Sequence, residues 1–261
     1  MQSNNMDNST DINDNSKRQP FLSIIIPAFN EEERLPDTLH RIITFVKSQH
    51  YTVEVLIVDN ASTDMTGTVI SNSVPSYPFF KSLYEHRRGK GAAVRKGILS
   101  ARGEYILICD ADMAVPIEEV EKFLPPRIND YDIAIGSREA PGAQRYGEPL
   151  YRHLMGRVFN VIVQCCALPG IHDSQCGFKS FRRAAAHDLF SVSKLDGWSF
   201  DVEILYIALL RGYRISEVPV NWYYGKNSKI NPIYDSWQMF KEVIKVRWNG
   251  LRGLYNIKQN I

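Results

Sequence analysis

Between residues 21 and 140, short apolar runs alternate with segments of helical periodicity, and four of the runs stop at Pro27, Asp59, Asp110 and Gly136. Residues 21–26, 53–58, 79–84, 105–109 and 131–135 have the length and the β-branched or aromatic makeup of buried strands. Between them, residues 31–46 repeat apolar side chains at Leu35, Leu39, Ile42, Ile43 and Val46. Ser62-Thr63-Asp64 can cap a helix running toward Val69, and residues 91–101 and 117–124 are helical in pattern. Strand and helix at this pace predict an α/β fold, with a mostly parallel sheet covered by helices on both faces. Ligands of such sheets gather beyond the carboxyl ends of the strands. Asn30, Asp59, Asp110 and Arg138 all fall just past a predicted strand.

The sharpest of these exits is Asp110-Ala111-Asp112. Two carboxylates two residues apart can converge on one divalent cation where the chain turns beyond a strand. A hard cation on oxygen ligands is what a diphosphate needs before it can leave. The residues therefore point to metal-assisted group transfer from a nucleotide-type substrate, although an Asp-x-Asp also occurs in plain surface turns. Gly89-Lys90-Gly91 has the same two readings. Its glycines let backbone approach a polar ligand while Lys90 supplies charge, or it is a surface turn; it lacks the spacing of an ATP-type phosphate loop.

With 261 residues, 44% apolar and 23% charged, the chain can bury a full core as one large domain, with or without elaborations. A formal net charge of +2 makes no case for nucleic acid. The basic clusters at residues 86–91 and 179–183 are read as facing an acidic ligand, with solvated surface as the alternative. Cys109, Cys165, Cys166 and Cys176 show neither zinc spacing nor a secreted disulfide framework, which predicts a reducing, cytoplasmic setting. Residues 1–19, rich in Asn, Asp and Ser, are expected to form a disordered tail. No segment reaches the roughly 18 to 20 continuous apolar residues of a membrane span, so membrane contact is expected to be peripheral, at a cytosolic face.

After residue 140 the pattern changes to a loop at 141–149, a helix at 151–168, a return toward the centre at 173–181, a helix at 198–211 and a strand at 214–220. The 198–211 helix should bury Phe200, Ile204, Leu205, Ala208 and Leu209. Without repeat or linker, residues 20–225 are expected as one domain and residues 226–261 as an amphipathic helical extension. From Trp222 to Tyr255, aromatic residues interleave with Lys226, Lys229, Lys241, Lys245, Arg247 and Arg252. That mixture suits a lipid headgroup interface, and equally a helix packed on the domain or a homo-oligomer contact.

The series Ile26-Pro27-Ala28-Phe29-Asn30-Glu31-Glu32, Val58-Asp59-Asn60-Ala61-Ser62-Thr63-Asp64, Gly89-Lys90-Gly91 and Asp110-Ala111-Asp112 resembles the inverting family 2 glycosyltransferases of GT-A fold. Gly136-Ser137-Arg138, Asp173-Ser174-Gln175-Cys176-Gly177-Phe178-Lys179, Trp198-Ser199-Phe200-Asp201-Val202-Glu203 and Glu217-Val218-Pro219-Val220-Asn221-Trp222 look like the dolichyl-phosphate β-glucosyltransferase branch. The resemblance covers roughly residues 20 to 225. It implies a Rossmann-like central sheet, a nucleotide-sugar donor, usually UDP-glucose, and a polyprenyl (dolichyl) phosphate acceptor. Inversion would convert an α-linked donor to a β-linked lipid-phosphate sugar without a covalent enzyme intermediate.

By the same resemblance, Pro27, Ala28, Asn30 and Glu31 hold the nucleoside together with Asp59, the last at the uracil edge, while Lys90 and Gly91 approach the phosphates. Asp110 and Asp112 form the Mg²⁺ or Mn²⁺ site, with Asp112 as the direct ligand and Asp110 nearer the ribose or acting through water, and Ala111 between them lies against the donor. Met113 follows where related enzymes can carry a further polar ligand, so phosphate and water would complete the metal shell. Arg138 and Lys179, helped by Arg152 or Arg182, are expected to hold the acceptor phosphate. Asp173 is expected to orient the acceptor or a sugar hydroxyl, and Gln175 to bond the sugar. Asp201 and Glu203 are expected to be structural. Asn60 stands where many relatives carry a second carboxylate. Two other classes stay open: a family 2 enzyme acting on a hydroxyl of a soluble glycan or polysaccharide, with Asp173 as its base, and a non-enzymatic sugar-nucleotide binder. Glucose is not separable from N-acetylglucosamine or mannose at this level.

Overall fold

The computed structural model describes residues 19–225 and 232–256, with residues 232–237 described by backbone alone. The expected tail and C-terminal extension fall partly at residues 1–18, 226–231 and 257–261, which lie outside the described residues. The elements run β1 (Leu22–Ala28), α1 (Leu35–Ser48), β2 (Val53–Asp59), α2 (Thr66–Ser73), β3 (Phe80–Tyr84), α3 (Lys90–Ser100) and β4 (Tyr105–Ile108). They continue with β5 (Ile133–Ser137), β6 (Gln144–Tyr146), α4 (Leu150–Cys166), β7 (Lys179–Arg182), α5 (Arg183–Val192), α6 (Phe200–Leu210), β8 (Ile215–Pro219), β9 (Asn221–Tyr223) and α7 (Pro232–Leu251).

Seven strands form one sheet in the order β3-β2-β1-β4-β7-β5-β8, while β6 and β9 pair separately as a parallel ribbon. The chain winds from β1 to β2 to β3 in one direction and then returns to lay β4 on the other flank of β1. The carboxyl ends of β1 and β4 therefore border a topological switch, the place where such sheets open a crevice. β7 alone runs antiparallel, between β4 and β5.

Strand periodicity sorts the core onto two faces. Ile25, Ile106, Ile108 and Phe181 join the cluster under α3, α5 and α6. Ile24, Ile26, Tyr105 and Leu107 join the cluster on the α1 side. Both faces are covered, so the central strands read as continuous apolar runs rather than alternating ones. Pro27 lies inside β1 rather than ending it. Ile25 O accepts Cys109 N at 2.9 Å, so positions 25 and 27 present their backbone toward β4, and β4 has ended before it reaches Pro27. The missing N–H therefore costs no ladder bond.

Three segments differ from expectation. Residues 117–124 form a 3-10 helix, Ile117–Phe123, set between Pro116 and Pro125. The basic run 179–183 is a sheet strand followed at once by a helix, because alternation hides the strand: Lys179 and Phe181 turn to one face, Ser180 and Arg182 to the other. Helix α6 is buried from Phe200 through Ala208 instead of on a stripe, Leu209 is exposed, and Trp198 lies before the helix. No helix among the described residues is long and apolar enough to cross a membrane.

Candidate active site

Among the described residues, three non-glycine residues adopt left-handed backbone, and each follows a carboxyl end at the crevice: Asn30 (φ 52°) after β1, Ala61 (φ 54°) after β2, and Met113 (φ 47°) after β4. Such conformations persist where surrounding bonds over-determine them. Asn30 donates its N–H to Ser62 Oγ at 3.1 Å and accepts Thr63 N on Oδ1 at 2.8 Å, so the β1 and β2 exits are sewn together. Ala28, at the end of β1, is buried. Glu31 is also buried; its carboxylate takes Arg34 Nε at 2.7 Å and Nη2 at 2.8 Å, and its N–H donates to Thr66 Oγ1 at 2.7 Å. Asp59 Oδ1 accepts Ser62 N at 3.0 Å.

Asn60 ties this floor to the glycine loop. Its Nδ2 donates to Arg87 O at 2.7 Å and Glu85 O at 3.3 Å, while Oδ1 accepts Gly89 N at 2.8 Å. A carboxylate has no donor for the two carbonyls, so the amide here is a requirement of this loop geometry. The glycines of Gly89-Lys90-Gly91 answer to the segment before α6: a Cβ on Gly91 would lie 2.6 Å from Leu195 O and 2.7 Å from Phe200 Cβ. Gly89, at φ 131°, has Asp196 O pressed against it.

Lys90, held by that loop, places Nζ 2.5 Å from Asp110 Oδ1 and 5.7 Å from the centre of the Trp198 ring. Burial alone would lower the Lys90 pKa, but the carboxylates of Asp110, Asp201 and Asp112 raise it above its ordinary value. Asp110 has room only because residue 177 is glycine; a Cβ there would sit 2.7 Å from Asp110 Cγ. Thr38 Oγ1, on α1, donates to Ala111 O at 2.5 Å and so anchors the turn between the two aspartates. Asp112 Oδ1 accepts Ala114 N at 3.1 Å. Burial, and then the neighbouring Asp110 charge, raise the Asp112 pKa.

These carboxylates fit a divalent cation: two oxygen donors, one raised above its usual pKa by burial and by its neighbour's charge, suit a hard ion whose remaining ligands come from phosphate. No cluster of three or more His, Cys, Asp or Glu occurs among the described residues, so the protein alone would not complete such a shell.

Across the crevice, Arg138 follows β5. Asp173, fully buried, accepts Arg138 Nε on Oδ2 at 2.7 Å, Arg138 Nη2 on Oδ1 at 2.8 Å and the Arg138 backbone N–H at 2.9 Å. Burial would raise the Asp173 pKa, but the Arg138 guanidinium outweighs it and holds the carboxyl down to about 2. Trp222, from β9, underlies the same guanidinium at 5.4 Å and also borders the small cavity that Asp110 and Gly177 line. Gln175 N–H donates to Asp173 Oδ1 at 3.3 Å, while its buried Nε2 has no partner among the described residues.

Placement revises several expectations. Lys179, 1% exposed, points into the core face of β7, with Nζ 2.7 Å from Asp201 Oδ1. A buried ammonium already paired with a carboxylate is not presented to an incoming phosphate, so the expectation of Lys179 as an acceptor clamp is corrected to a core ion pair. Asp173 as a general base fails for the related reason that a carboxylate saturated by an arginine and held near 2 has no proton affinity to offer. Arg182 pairs with Tyr105, at the amino end of β4, and stacks over Tyr105 and Tyr131. Arg152 donates to Tyr224 OH at 2.7 Å. Asp201 pairs with Lys179, and Glu203 accepts Lys194 N, Leu195 N and Tyr255 OH, which agrees with structural roles for both. Thr38 carried no sequence signal of its own, and Trp222 was legible only within the 217–222 motif and the aromatic–basic stretch; helix and strand packing brings them to the site.

A family model described as "Glycosyl transferase family 2" matches residues 23–190. A dolichyl-phosphate beta-glucosyltransferase from Dictyostelium discoideum is 35% identical over 252 residues, 91% of this chain and 77% of that protein. The protein of the same name from Homo sapiens is 37% identical over 254 residues, 91% and 78% of the two chains. Among solved structures, glucosyl-3-phosphoglycerate synthase from Mycobacterium tuberculosis, in complex with Mn²⁺, UDP-glucose and phosphoglyceric acid, superposes with TM-score 0.61 at 17% identity, covering 92% of this chain and 82% of that one. At that identity the likeness concerns the fold.

Proposed function

We propose, from the premise that this chain belongs to glycosyl transferase family 2 and is homologous to dolichyl-phosphate β-glucosyltransferases, that it transfers glucose from UDP-glucose to a polyprenyl phosphate, with inversion to a β-linked product. One observation carries the reading: the ring of Trp222 joins an aspartate held by its lysine at the switch point, with which it lines one cavity, to an arginine whose other edge is locked by a buried aspartate. One half suits a diphosphate with its metal, the other a second phosphate. A binder without chemistry has no use for the second half.

The turn from Pro27 to Glu31 and Asp59 would hold the nucleoside, with Asp59 Oδ2, the oxygen not used by Ser62 N, as acceptor for the uracil imide. Lys90 and Gly91 would face the phosphates. Asp112, with Asp110, would hold Mg²⁺ or Mn²⁺, and such an ion, when bound, neutralises the departing diphosphate. Lys90 adds a fixed positive charge where negative charge grows in the transition state.

Asp173 uses the Nε and Nη2 edge of Arg138, so Nη1 and its charge remain for the acceptor phosphate. Trp222 lies beneath the guanidinium, whose charge it supports by a cation–π contact at 5.4 Å. A phosphate monoester loses its second proton near pH ~6, so the nucleophile arrives already anionic and no enzyme base is required. Attack of its oxygen on the anomeric carbon opposite the diphosphate forms the new C–O bond as the C–O bond to UDP breaks. The unpartnered Gln175 Nε2 is placed to donate to a sugar hydroxyl or to the acceptor.

The reading is tested by incubating purified protein and Mg²⁺ or Mn²⁺ with UDP- and GDP-sugars and a short polyprenyl phosphate, with products resolved by mass. Hexosyl phosphate-lipid formed from UDP-glucose is the expected product. Donor hydrolysis without lipid product, or transfer to glycan hydroxyls instead, refutes the acceptor assignment.

A further inference from the structure

Helix α4 is turned inside out relative to an ordinary surface helix. Of its 17 residues only Asn160 and Val163 are buried, while Leu150, Leu154, Val158 and Val161, spaced four, four and three apart, are each more than half exposed. The stripe continues past Cys165 to a groove of about 410 Å³ shared with α7, whose far wall is Ile244, Trp248 and Leu251. Those three are also more than half exposed, whereas Val243 and Val246 of α7 turn inward. Contiguous apolar surface on this scale marks a docking site.

We propose that this α4–α7 face rests on a lipid bilayer carrying anionic head groups. The proposal deepens, and rests on, the lipid-phosphate reading of the site. Charge selects the occupant. Helix α4 contains Arg152 and Arg157 and no acid, and exposed Lys241, Lys245 and Arg252 accompany the α7 stripe, against Glu242 alone among the described side chains of α7. Amphipathic helices with cationic flanks bind anionic interfaces through both terms together. A second copy docked through the same face about a two-fold axis would set these cations against one another. The segments outside the described residues are poor in apolar side chains: residues 1–18 hold Met1, Met6 and Ile12, residues 226–231 Ile230, and residues 257–261 Ile257 and Ile261.

The face also adjoins the acceptor side of the site. Arg152, in the first turn of α4, bonds Tyr224 OH at 2.7 Å, and Tyr224 is two residues past Trp222, the ring under Arg138. Lying on this face, the protein would open its phosphate-binding arginine toward the plane in which a polyprenyl phosphate presents its head.

Co-sedimentation with phosphatidylcholine vesicles, with and without a minority of phosphatidylserine, tests the surface. Wild-type protein is expected to partition onto the anionic vesicles and to release with salt. The double variant Leu154→Glu/Val158→Glu is expected to lose partition by about tenfold or more, with unchanged melting temperature and unchanged transfer to a short, water-soluble isoprenyl phosphate. Equal partition of wild type and variant overturns the proposal, and so does a wild-type dimer in light scattering that the variant dissolves without change in vesicle binding. Vesicle binding that is intact and variant-sensitive, in a protein with no transfer to the short acceptor, supports the surface while refuting the lipid-phosphate reading.

Discussion

Asp173 grips Arg138 along one whole edge, Oδ2 to Nε at 2.7 Å and Oδ1 to Nη2 at 2.8 Å, with the backbone N–H of Arg138 taken by the same carboxylate. Two groups 35 residues apart in sequence thus act as one device. The aspartate is the proposed positioning residue and the arginine the proposed contact with acceptor phosphate.

Asp173→Asn is expected to lower turnover with the phosphate acceptor by about tenfold to a hundredfold, the loss of one or two charge-assisted bonds that orient Arg138. UDP-glucose affinity should be unchanged by calorimetry. Breaking a buried pair by removing one partner also destabilises by about 3 kcal/mol, so the melting temperature falls as well. Unaltered turnover in a destabilised protein would make the pair a purely structural one.

The same pair sets an acid limit. The folded Asp173 pKa of about 2 lies below its ordinary value of 3.8. Its stabilisation is therefore present above pH ~4 and is lost as pH falls toward ~2, because the unfolded chain binds the proton first; the whole contribution is about 2 kcal/mol. Urea midpoints followed from pH ~5 down to ~2 should fall less steeply in Asp173→Asn than in the wild type.

Asp112→Asn is expected to abolish Mn²⁺-dependent donor binding, read by the paramagnetic signal of bound Mn²⁺ in the presence of UDP. Chelation of the wild type should do the same and be reversed by Mg²⁺ or Mn²⁺. Retention of donor affinity in the variant would remove Asp112 from the metal site.

Gly177→Ala tests the packing beneath Asp110, since the new methyl would meet that carboxylate at 2.7 Å from Cγ. Displaced, Asp110 would leave Lys90, and UDP affinity should drop about tenfold while the far-ultraviolet spectrum stays native. Asn60→Asp should weaken donor binding by a similar route, because a carboxylate cannot donate to Arg87 O and Glu85 O.

Local chemistry determined the frame of this protein. Apolar runs of strand length separated by 3.6-periodic segments specify a parallel α/β sheet, since each pattern can bury its apolar side chains in only one kind of element. Asn30, Asp59, Asp110 and Arg138 were legible as a group because a parallel sheet delivers every strand exit to the same edge. The tertiary structure alone decided which charges are available there. Lys179 and Arg138 look alike in sequence, yet strand alternation sends Lys179 into the core to meet Asp201, while Arg138 stands past the end of β5 with one edge locked by Asp173. The antiparallel β7, the ring of Trp222 beneath Arg138 and the outward apolar face of α4 were likewise hidden. Each depends on what lies across space from a residue, and sequence spacing constrains that only within a single helix or strand.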